Sequence, residues 1–323
     1  MENKVKLSVI IPAYNAEKTI KKCLESIIEN DFKDREIIVI NDGSNDSTEK
    51  IVQELMIDNT DIKIINKINA GLPQARKTGV ENSVGELITF IDSDDFVDKD
   101  FFSKHIAEFK DDVDIVASGI CKDGKKIIRE FYNKRLDLNK VEALYYLNER
   151  AAVYTSMCNK VFRRKLLLNI KFPTGNFVGE DYLTIVQLIE KSDKIISIPY
   201  CGYHYVQTTQ SMSRCGYDEK KYKSFVLYKK VNEKLVKKYP ELKESIDNYM
   251  ILEYMAIAIS MGNNKNYDYR VLRYIKKFIH ANLTAYLKDK NINFIYKICA
   301  VFSSISIRLF IRNVIFAKKI IKQ

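Results

Sequence analysis

The sequence contains few of the residues that break, stiffen or crosslink a chain. Its 323 residues include 11 glycines and 5 prolines, which excludes a collagen-like or low-complexity protein. The six cysteines form no Cys-x-x-Cys pair, so neither a zinc ribbon nor a dithiol redox motif is expected. We predict reduced thiols, with Cys23 packed in the core.

Long hydrophobic runs are also scarce, and basic residues outnumber acidic ones. Residues 1–6 lead directly into a strand pattern, without the basic and apolar segments of a secretory signal. No run of about 18 uncharged apolar residues offers a membrane-spanning helix, and we expect a cytoplasmic protein. The 53 Lys and Arg residues outnumber the 42 Asp and Glu residues. The resulting charge of +11 suits an anionic partner such as a nucleic acid, a lipid surface or a phosphorylated ligand.

The first hundred residues alternate between strand and helix patterns. Apolar runs typical of buried parallel strands occur at residues 7–11, 36–40, 62–65 and 87–91. The segments between them have helical spacing, and Asp46 with Glu49 is expected to form a capping box at the start of one helix. This order predicts an α/β fold, with a Rossmann-like, mostly parallel sheet flanked by helices.

The composition changes near residue 216. Beyond this point the chain is rich in Lys, Tyr and Leu with helical spacing. We therefore predict a catalytic domain over residues 1–215 and a helical C-terminal region over residues 216–323. Within that region, residues 291–323 contain basic residues but no acidic ones.

Three polar clusters directly follow predicted strands. They are Tyr14-Asn15, Asp42-Gly43-Ser44 and Asp92-Ser93-Asp94. Ligands of such sheets bind beyond the carboxyl ends of the strands, so these clusters are expected to lie at the ligand edge. Asp92 and Asp94 offer the carboxylate oxygens that Mg²⁺ and Mn²⁺ prefer. The same Asp-rich segment also fits a solvated turn or a helix N-cap.

Further candidates each have a structural alternative. Asp42 can accept a hydrogen bond from a base or ribose, or cap the next helix in an Asx-turn. Arg76 can neutralise a diphosphate, or lie on the surface. Glu180 and Asp181 can deprotonate a hydroxyl, or stabilise a helix N-terminus. His204, between two tyrosines, can ligate a metal or serve a structural role.

Four segments resemble the signatures of the family 2 glycosyltransferases, which have the GT-A fold. These segments are residues 8–15 (SVIIPAYN), 41–48 (NDGSNDST), 69–76 (NAGLPQAR) and 85–95 (GELITFIDSDD). They occur in the family's order, and a looser likeness continues through Asn159-Lys160 and Gly179-Glu180-Asp181. The C-terminal third is not covered.

The resemblance implies an inverting, metal-dependent transfer of a sugar from a nucleotide sugar, most often a UDP-sugar, to an acceptor hydroxyl. It implies that Asp181 is the general base with Glu180 in support, and that Asp94 binds Mn²⁺ or Mg²⁺. Asp92 would touch the ribose or the metal, with His204 as a further metal ligand. The implied nucleotide-sugar contacts are Pro12, Ala13, Tyr14, Asn15, Asp42, Arg76, Asp92 and Ser93.

The sequence departs from the family pattern at a few positions. Asn41 and Lys77 stand where the family often has aspartate and asparagine, and Asp42 is retained. Val206-Gln207 stands where the family often has an arginine after the late aromatic segment, so that phosphate-neutralising cation is missing here. His204 is the candidate substitute.

Two other classes of function fit part of the sequence. A nucleotidyltransferase that forms nucleotide sugars would also use a parallel sheet and metal carboxylates. It usually has a glycine-rich loop after the first strand, where this chain has Pro12-Ala13-Tyr14-Asn15. A non-catalytic scaffold or a basic nucleic-acid-binding protein would suit the charge, but no nucleic-acid motif occurs and no nucleic-acid partner is expected.

The family resemblance and the basic tail together suggest the partners. By family expectation, the acceptor is a glycan or a lipid-linked molecule in bacterial surface glycan synthesis, such as capsule or teichoic acid. The uncharged stretch 298–307 is too short to span a bilayer. Cations at Arg308, Arg312, Lys319 and Lys322 fit a helix on the anionic inner face of the cell membrane. The tail also fits packing on the catalytic domain or a homo-oligomer contact.

Overall fold

The computed structural model describes residues 5–124, 126–175, 179–207 and 216–321. They form two compact units. The first takes the described part of Met1–Gly175 together with Glu180–Thr208. The second takes the described part of Asn176–Gly179 together with Thr209–Gln323. The domain boundary predicted after residue 215 falls outside the described residues.

The first unit contains all the strands of the described chain. They are β1 (Leu7–Ala13), β2 (Arg35–Asn41), β3 (Ile62–Asn66), β4 (Leu87–Phe90), β5 (Phe96–Val97), β6 (Ile115–Ala117), β7 (Ile120–Asp123), β8 (Ile127–Glu130), β9 (Leu136–Leu138), β10 (Lys160–Arg163), β11 (Ile195–Ser197) and β12 (Tyr203–Val206). Its helices are α1 (Ile20–Ile28), α2 (Thr48–Met56), α3 (Leu72–Glu81), α4 (Phe101–Ile106), α5 (Lys140–Asn148), α6 (Arg164–Leu168) and α7 (Glu180–Lys191).

The main sheet places β1 between β2 and β4. Its strand order is β3-β2-β1-β4-β10-β6-β11-β9, and the first four strands are parallel. Every residue of β1 and of β4 is buried, which explains why Ser8 and Thr89 are their only polar residues. The predicted α/β fold with a mostly parallel sheet is confirmed.

The strand pairing in the far half of this sheet was not predicted. β10 is inserted antiparallel between β4 and β6, with Val161 opposite both Thr89 and Val116. A smaller sheet, in the order β5-β12-β7-β8, lies in the same unit. These strands have only two to four residues each, so they give little sequence pattern.

The predicted capping box at Asp46 and Glu49 is wrong. α2 begins at Thr48, and Ser47 occupies the N-cap position without a side-chain bond. Asp46 instead accepts hydrogen bonds from the Thr48 amide at 3.0 Å and the Glu17 amide at 3.0 Å. The carboxylate thus joins the first residue of α2 to the loop after β1, without a capping box with Glu49.

The second unit is helical, as predicted. Its helices are α8 (Glu219–Lys238), α9 (Lys243–Asn263), α10 (Tyr269–Lys288), α11 (Phe294–Ile305) and α12 (Ile307–Ile321). Gly262 of α9 leaves no room for a Cβ because Ile311 of α12 packs directly against it. Across the described ranges, no helix is both long enough and apolar enough to cross a bilayer.

Candidate functional site

The first two predicted clusters meet at the carboxyl ends of β1 and β2. The Asn15 amide donates to Ser44 Oγ at 3.0 Å, and the Asn45 amide donates back to Asn15 Oδ1 at 2.9 Å. Asn15 adopts a positive φ of 50°, which asparagine tolerates better than most residues. The reciprocal bonds fix the two loops against each other.

The loop after β1 exposes an aromatic ring above the sheet edge. Pro12 and Ala13 are the last two residues of β1 and are buried. Tyr14 follows them with 52% of its surface exposed. A ligand at this edge would therefore meet the Tyr14 side chain before the buried end of the strand.

Asp42 organises a second loop at the same edge. Its carboxylate accepts hydrogen bonds from Lys67 Nζ at 2.5 Å, the Ala70 amide at 3.0 Å and the Gly71 amide at 2.8 Å. The predicted alternative of a local Asx-turn is wrong, because the Asp42 carboxylate accepts from the loop after β3. Beside it, Gly43 has a φ of 76°, and a Cβ there would lie 2.9 Å from the Asn69 nitrogen.

Arg76 joins the Asp-rich turn to the acid pair at the start of α7. It donates to Asp92 Oδ1 at 3.0 Å and to Asp181 Oδ1. The alternative of a surface arginine is wrong, since Arg76 is 2% exposed. Burial alone would lower the pKa of Arg76, but the charges of Asp181 and Asp92 outweigh it and raise the pKa.

The third carboxylate of the turn, Asp95, anchors the turn to β12. It is buried, and it accepts from Tyr203 Oη at 2.5 Å and from the Val206 amide at 2.8 Å. Burial, followed by the charge of Asp92, raises the pKa of Asp95 to about 8. Asp95 and Tyr203 are 108 positions apart, so no local sequence signal indicates their contact.

Asp92 and Asp94 are the carboxylates of this turn that remain open to a ligand. The Asp92 side chain is 31% exposed, Asp94 is exposed, and Ser93 between them is half-buried. Partial desolvation, followed by the charge of Asp92, raises the pKa of Asp94. A cation near both carboxylates would relieve this repulsion.

Within the described ranges, no group of three or more His, Cys, Asp or Glu side chains is placed to hold a metal. Two carboxylates nevertheless fit Mg²⁺ or Mn²⁺ used with a nucleotide. Such ions commonly take one or two protein carboxylates and complete their coordination with water and substrate phosphate oxygens. Asp92 and Asp94 therefore fit a Mn²⁺ or Mg²⁺ ion whose remaining ligands are water and the phosphate oxygens of the predicted nucleotide-sugar donor.

Asp181 and Glu180 form the first turn of α7. Besides its contact with Arg76, Asp181 accepts from the Met157 amide at 3.3 Å, and its side chain is 25% exposed. Burial, followed by the charge of Asp181, raises the pKa of Glu180. The acid pair also suits the positive end of the helix dipole, so the predicted structural alternative remains compatible with these contacts.

Lys160 holds the segment that contacts Asp181. Its buried ammonium group donates to Tyr154 O at 2.7 Å, Ser156 O at 2.6 Å and Asn159 Oδ1 at 2.8 Å. Burial lowers the pKa of Lys160 to about 7, while three acceptors match the three donors of the ammonium form. The Asn159-Lys160 pair thus supports the loop behind Asp181.

His204 contacts other carboxylates. Its Nε2 lies 2.9 Å from Asp98 Oδ1, its Nδ1 lies 3.2 Å from Asp123 Oδ2, and its ring stacks on Phe96 with centroids 4.3 Å apart. Within the part of the chain that the structure describes, His204 does not join Asp92 and Asp94 in a three-ligand group. Its role as a metal ligand stays a prediction.

Comparison with known proteins supports the family resemblance. The profile described as Glycosyl transferase family 2 matches residues 8–170. Glycosyltransferase GlyA of Streptococcus pneumoniae serotype 4 is 32% identical over 220 residues, which is 65% of this chain and 32% of the relative. This chain therefore spans about a third of that relative's length.

Two solved structures of other proteins share the fold. A crystal structure of S. aureus TarS residues 1–349 with UDP-GlcNAc has a TM-score of 0.58 at 18% identity, over 95% of this chain and 89% of that one. A mannosyltransferase from Pyrobaculum calidifontis with GDP-Man and Mn²⁺ has a TM-score of 0.53 at 16% identity, over 93% and 87%. The predicted GT-A fold is confirmed.

Proposed function

The chain belongs to the glycosyl transferase family 2, and from this membership we propose that it transfers a sugar from a UDP-sugar to an acceptor hydroxyl with inversion at the anomeric carbon. One observation carries the proposal. Arg76 joins Asp92, at the end of β4, to Asp181, at the start of α7. The predicted donor-binding turn and the predicted base are thereby held in one buried ion network.

The nucleotide would lie at the edge formed by the loops after β1, β2 and β4. Tyr14 offers an exposed ring for a base, while Asn15 and Asp42 set the positions of the loops. Ser93 lies between the two open carboxylates of the Asp-rich turn. The choice of UDP as the nucleotide rests on the family membership.

Asp92 and Asp94 would hold Mn²⁺ or Mg²⁺ together with the donor diphosphate. When bound, the ion supplies positive charge that offsets the charge growing on the leaving group. Arg76 keeps the other side of Asp92 fixed through the 3.0 Å contact at Oδ1. The outer part of the carboxylate stays available because the Asp92 side chain is 31% exposed.

Asp181 would accept the proton of the acceptor hydroxyl. As the acceptor oxygen attacks the anomeric carbon, the bond to the diphosphate breaks and its electron pair leaves with the nucleoside diphosphate. Arg76 and the Met157 amide orient Asp181, and Lys160 supports the loop that carries Met157. Glu180, beside it, would assist acceptor binding.

The acceptor we propose is a glycan or a lipid-linked sugar used in bacterial surface glycan synthesis. This choice rests on the family membership, and the S. aureus TarS structure shows only a shared fold at 18% identity. A lipid-linked acceptor would place the reaction at a membrane surface.

A donor panel tests the proposed activity. Purified protein with Mn²⁺ would be incubated with UDP-, GDP- and dTDP-sugars and with candidate acceptors, and released nucleoside diphosphate would be measured. We expect one UDP-sugar to be consumed, and proton NMR of the product to show an anomeric configuration opposite to that of the donor. Consumption of a GDP- or dTDP-sugar alone would contradict the donor assignment, and a product that retains the donor configuration would contradict inversion.

A further inference from the structure

The net charge of the protein is concentrated in its last 55 residues. Residues 269–323 contain 12 Lys and Arg residues and one acidic residue, Asp289, so their formal charge is +11. That value equals the net charge of the whole chain, which leaves residues 1–268 formally neutral. Helices α10, α11 and α12 all lie in this basic segment.

α11 turns its small residues inward and its large apolar residues outward. Its buried residues are Ala300, Ser303 and Ser304. The side chains of an exposed apolar face are between 39% and 74% accessible: Phe294, Ile295, Ile298, Phe302 and Ile305. At about 100° per residue, these five positions occupy one side of the helix, opposite the buried serines. An ordinary surface helix has the reverse arrangement.

Cations lie on α11 itself and on the helices before and after it. Arg308 and Arg312, in the helix that follows, are exposed, and Lys297 of α11 is half-buried. α10, which packs against α11, presents exposed Arg270 and Lys277. An exposed apolar helix face, with cations on the same and adjacent helices, fits a helix that lies in an anionic lipid interface.

We propose that the exposed apolar face of α11 docks into the surface of an anionic membrane. The apolar side chains would enter the boundary between headgroups and acyl chains, while the surrounding cations would contact lipid phosphates. A second copy of this chain is a poorer occupant, because two segments of charge +11 would repel each other. The inference deepens the proposed function, since a lipid-linked acceptor would be reached from such a surface.

Vesicle cosedimentation with the full chain tests the proposal. The vesicles would contain phosphatidylcholine alone or phosphatidylcholine with phosphatidylglycerol. The variant Ile298→Gln/Phe302→Gln alters the exposed apolar face, and Ile57→Gln/Val84→Gln alters two exposed apolar residues of the first unit as the matched control. All four positions are exposed, so both variants are expected to fold.

We expect binding to the anionic vesicles that weakens with salt and is much weaker on phosphatidylcholine alone. The α11 variant should lose about tenfold or more in partition coefficient, and the control should match the wild type. Equal binding of the wild type and the α11 variant would overturn the proposal. So would absence of vesicle binding with a concentration-dependent dimer that the α11 variant abolishes, which would assign the face to a second copy. Donor turnover with a soluble acceptor is measured separately, so failure here leaves the proposed activity standing.

Discussion

Replacing Asp181 with Asn is expected to lower kcat by about 10²- to 10⁴-fold, the usual contribution of a general base. Asparagine keeps the size of the side chain and can still accept from the Met157 amide, but it cannot take the acceptor proton. Affinity for UDP in the presence of Mn²⁺ should stay at the wild-type level, because Asp92 and Asp94 are retained. Steady-state kinetics and calorimetric UDP titration separate the two effects.

Glu54→Gln provides the matched control for Asp181→Asn. Glu54 is an exposed carboxylate of α2 in the same unit. We expect this variant to match the wild type in both assays. Wild-type kcat in Asp181→Asn would remove Asp181 as the base and favour its role as a helix N-terminal acid. A parallel loss of UDP binding would instead assign it to the donor site.

Replacing Arg76 with Met should be the most destabilising single change at the site. Its side chain is 3% exposed, and it is paired with two partly buried carboxylates, Asp92 and Asp181. Removing one partner from a buried ion network typically costs about 3–5 kcal/mol in the free energy of unfolding. The methionine would leave Asp92 and Asp181 without their shared cation. Denaturant unfolding of wild type and variant measures the loss.

A double-mutant cycle separates the loss of the Arg76–Asp181 charge interaction from the loss of side-chain packing at Arg76. Adding Asp181→Asn to Arg76→Met removes one of the two stranded carboxylates, so the double variant should lose less stability than the sum of the single losses. Arg129→Met, at an exposed arginine of β8, is the control and should be near neutral. Additive losses would show that the charges of Arg76 and Asp181 are not coupled.

The parallel half of the main sheet was predictable because most residues of β1, β2 and β4 are apolar and buried. β1 and β4 are covered throughout, so their apolar runs mark them without any tertiary information. β10 was not predicted because two of its four residues, Lys160 and Arg163, are charged and leave no apolar run. A buried lysine is uncommon, and only the three acceptors around Lys160 explain its position.

The sequence predicts which residues lie at the site, but it does not predict which of them contact each other. The common edge of the clusters follows from strand polarity, which needs no knowledge of side chains. The ion pair of Arg76 with Asp181 spans 105 residues, and the bond of Tyr203 to Asp95 spans 108. Chain topology creates these contacts, so no local spacing could indicate them. Asp42 is a further example, because its carboxylate accepts from the loop after β3 and not from the local backbone that an Asx-turn would use.

Calorimetric titration of UDP into the wild type and Asp94→Asn, each with Mn²⁺ and with EDTA, tests the proposed metal-bound UDP-sugar site most directly. Asp58→Asn, at an exposed carboxylate in the same unit, serves as the control. We expect UDP binding that needs Mn²⁺ in the wild type and the control and is lost in Asp94→Asn. Mn²⁺-dependent binding of equal strength in all three proteins would contradict the assignment of Asp94 as a metal ligand. Absence of Mn²⁺-dependent binding in the wild type would contradict the proposed metal-bound UDP-sugar site.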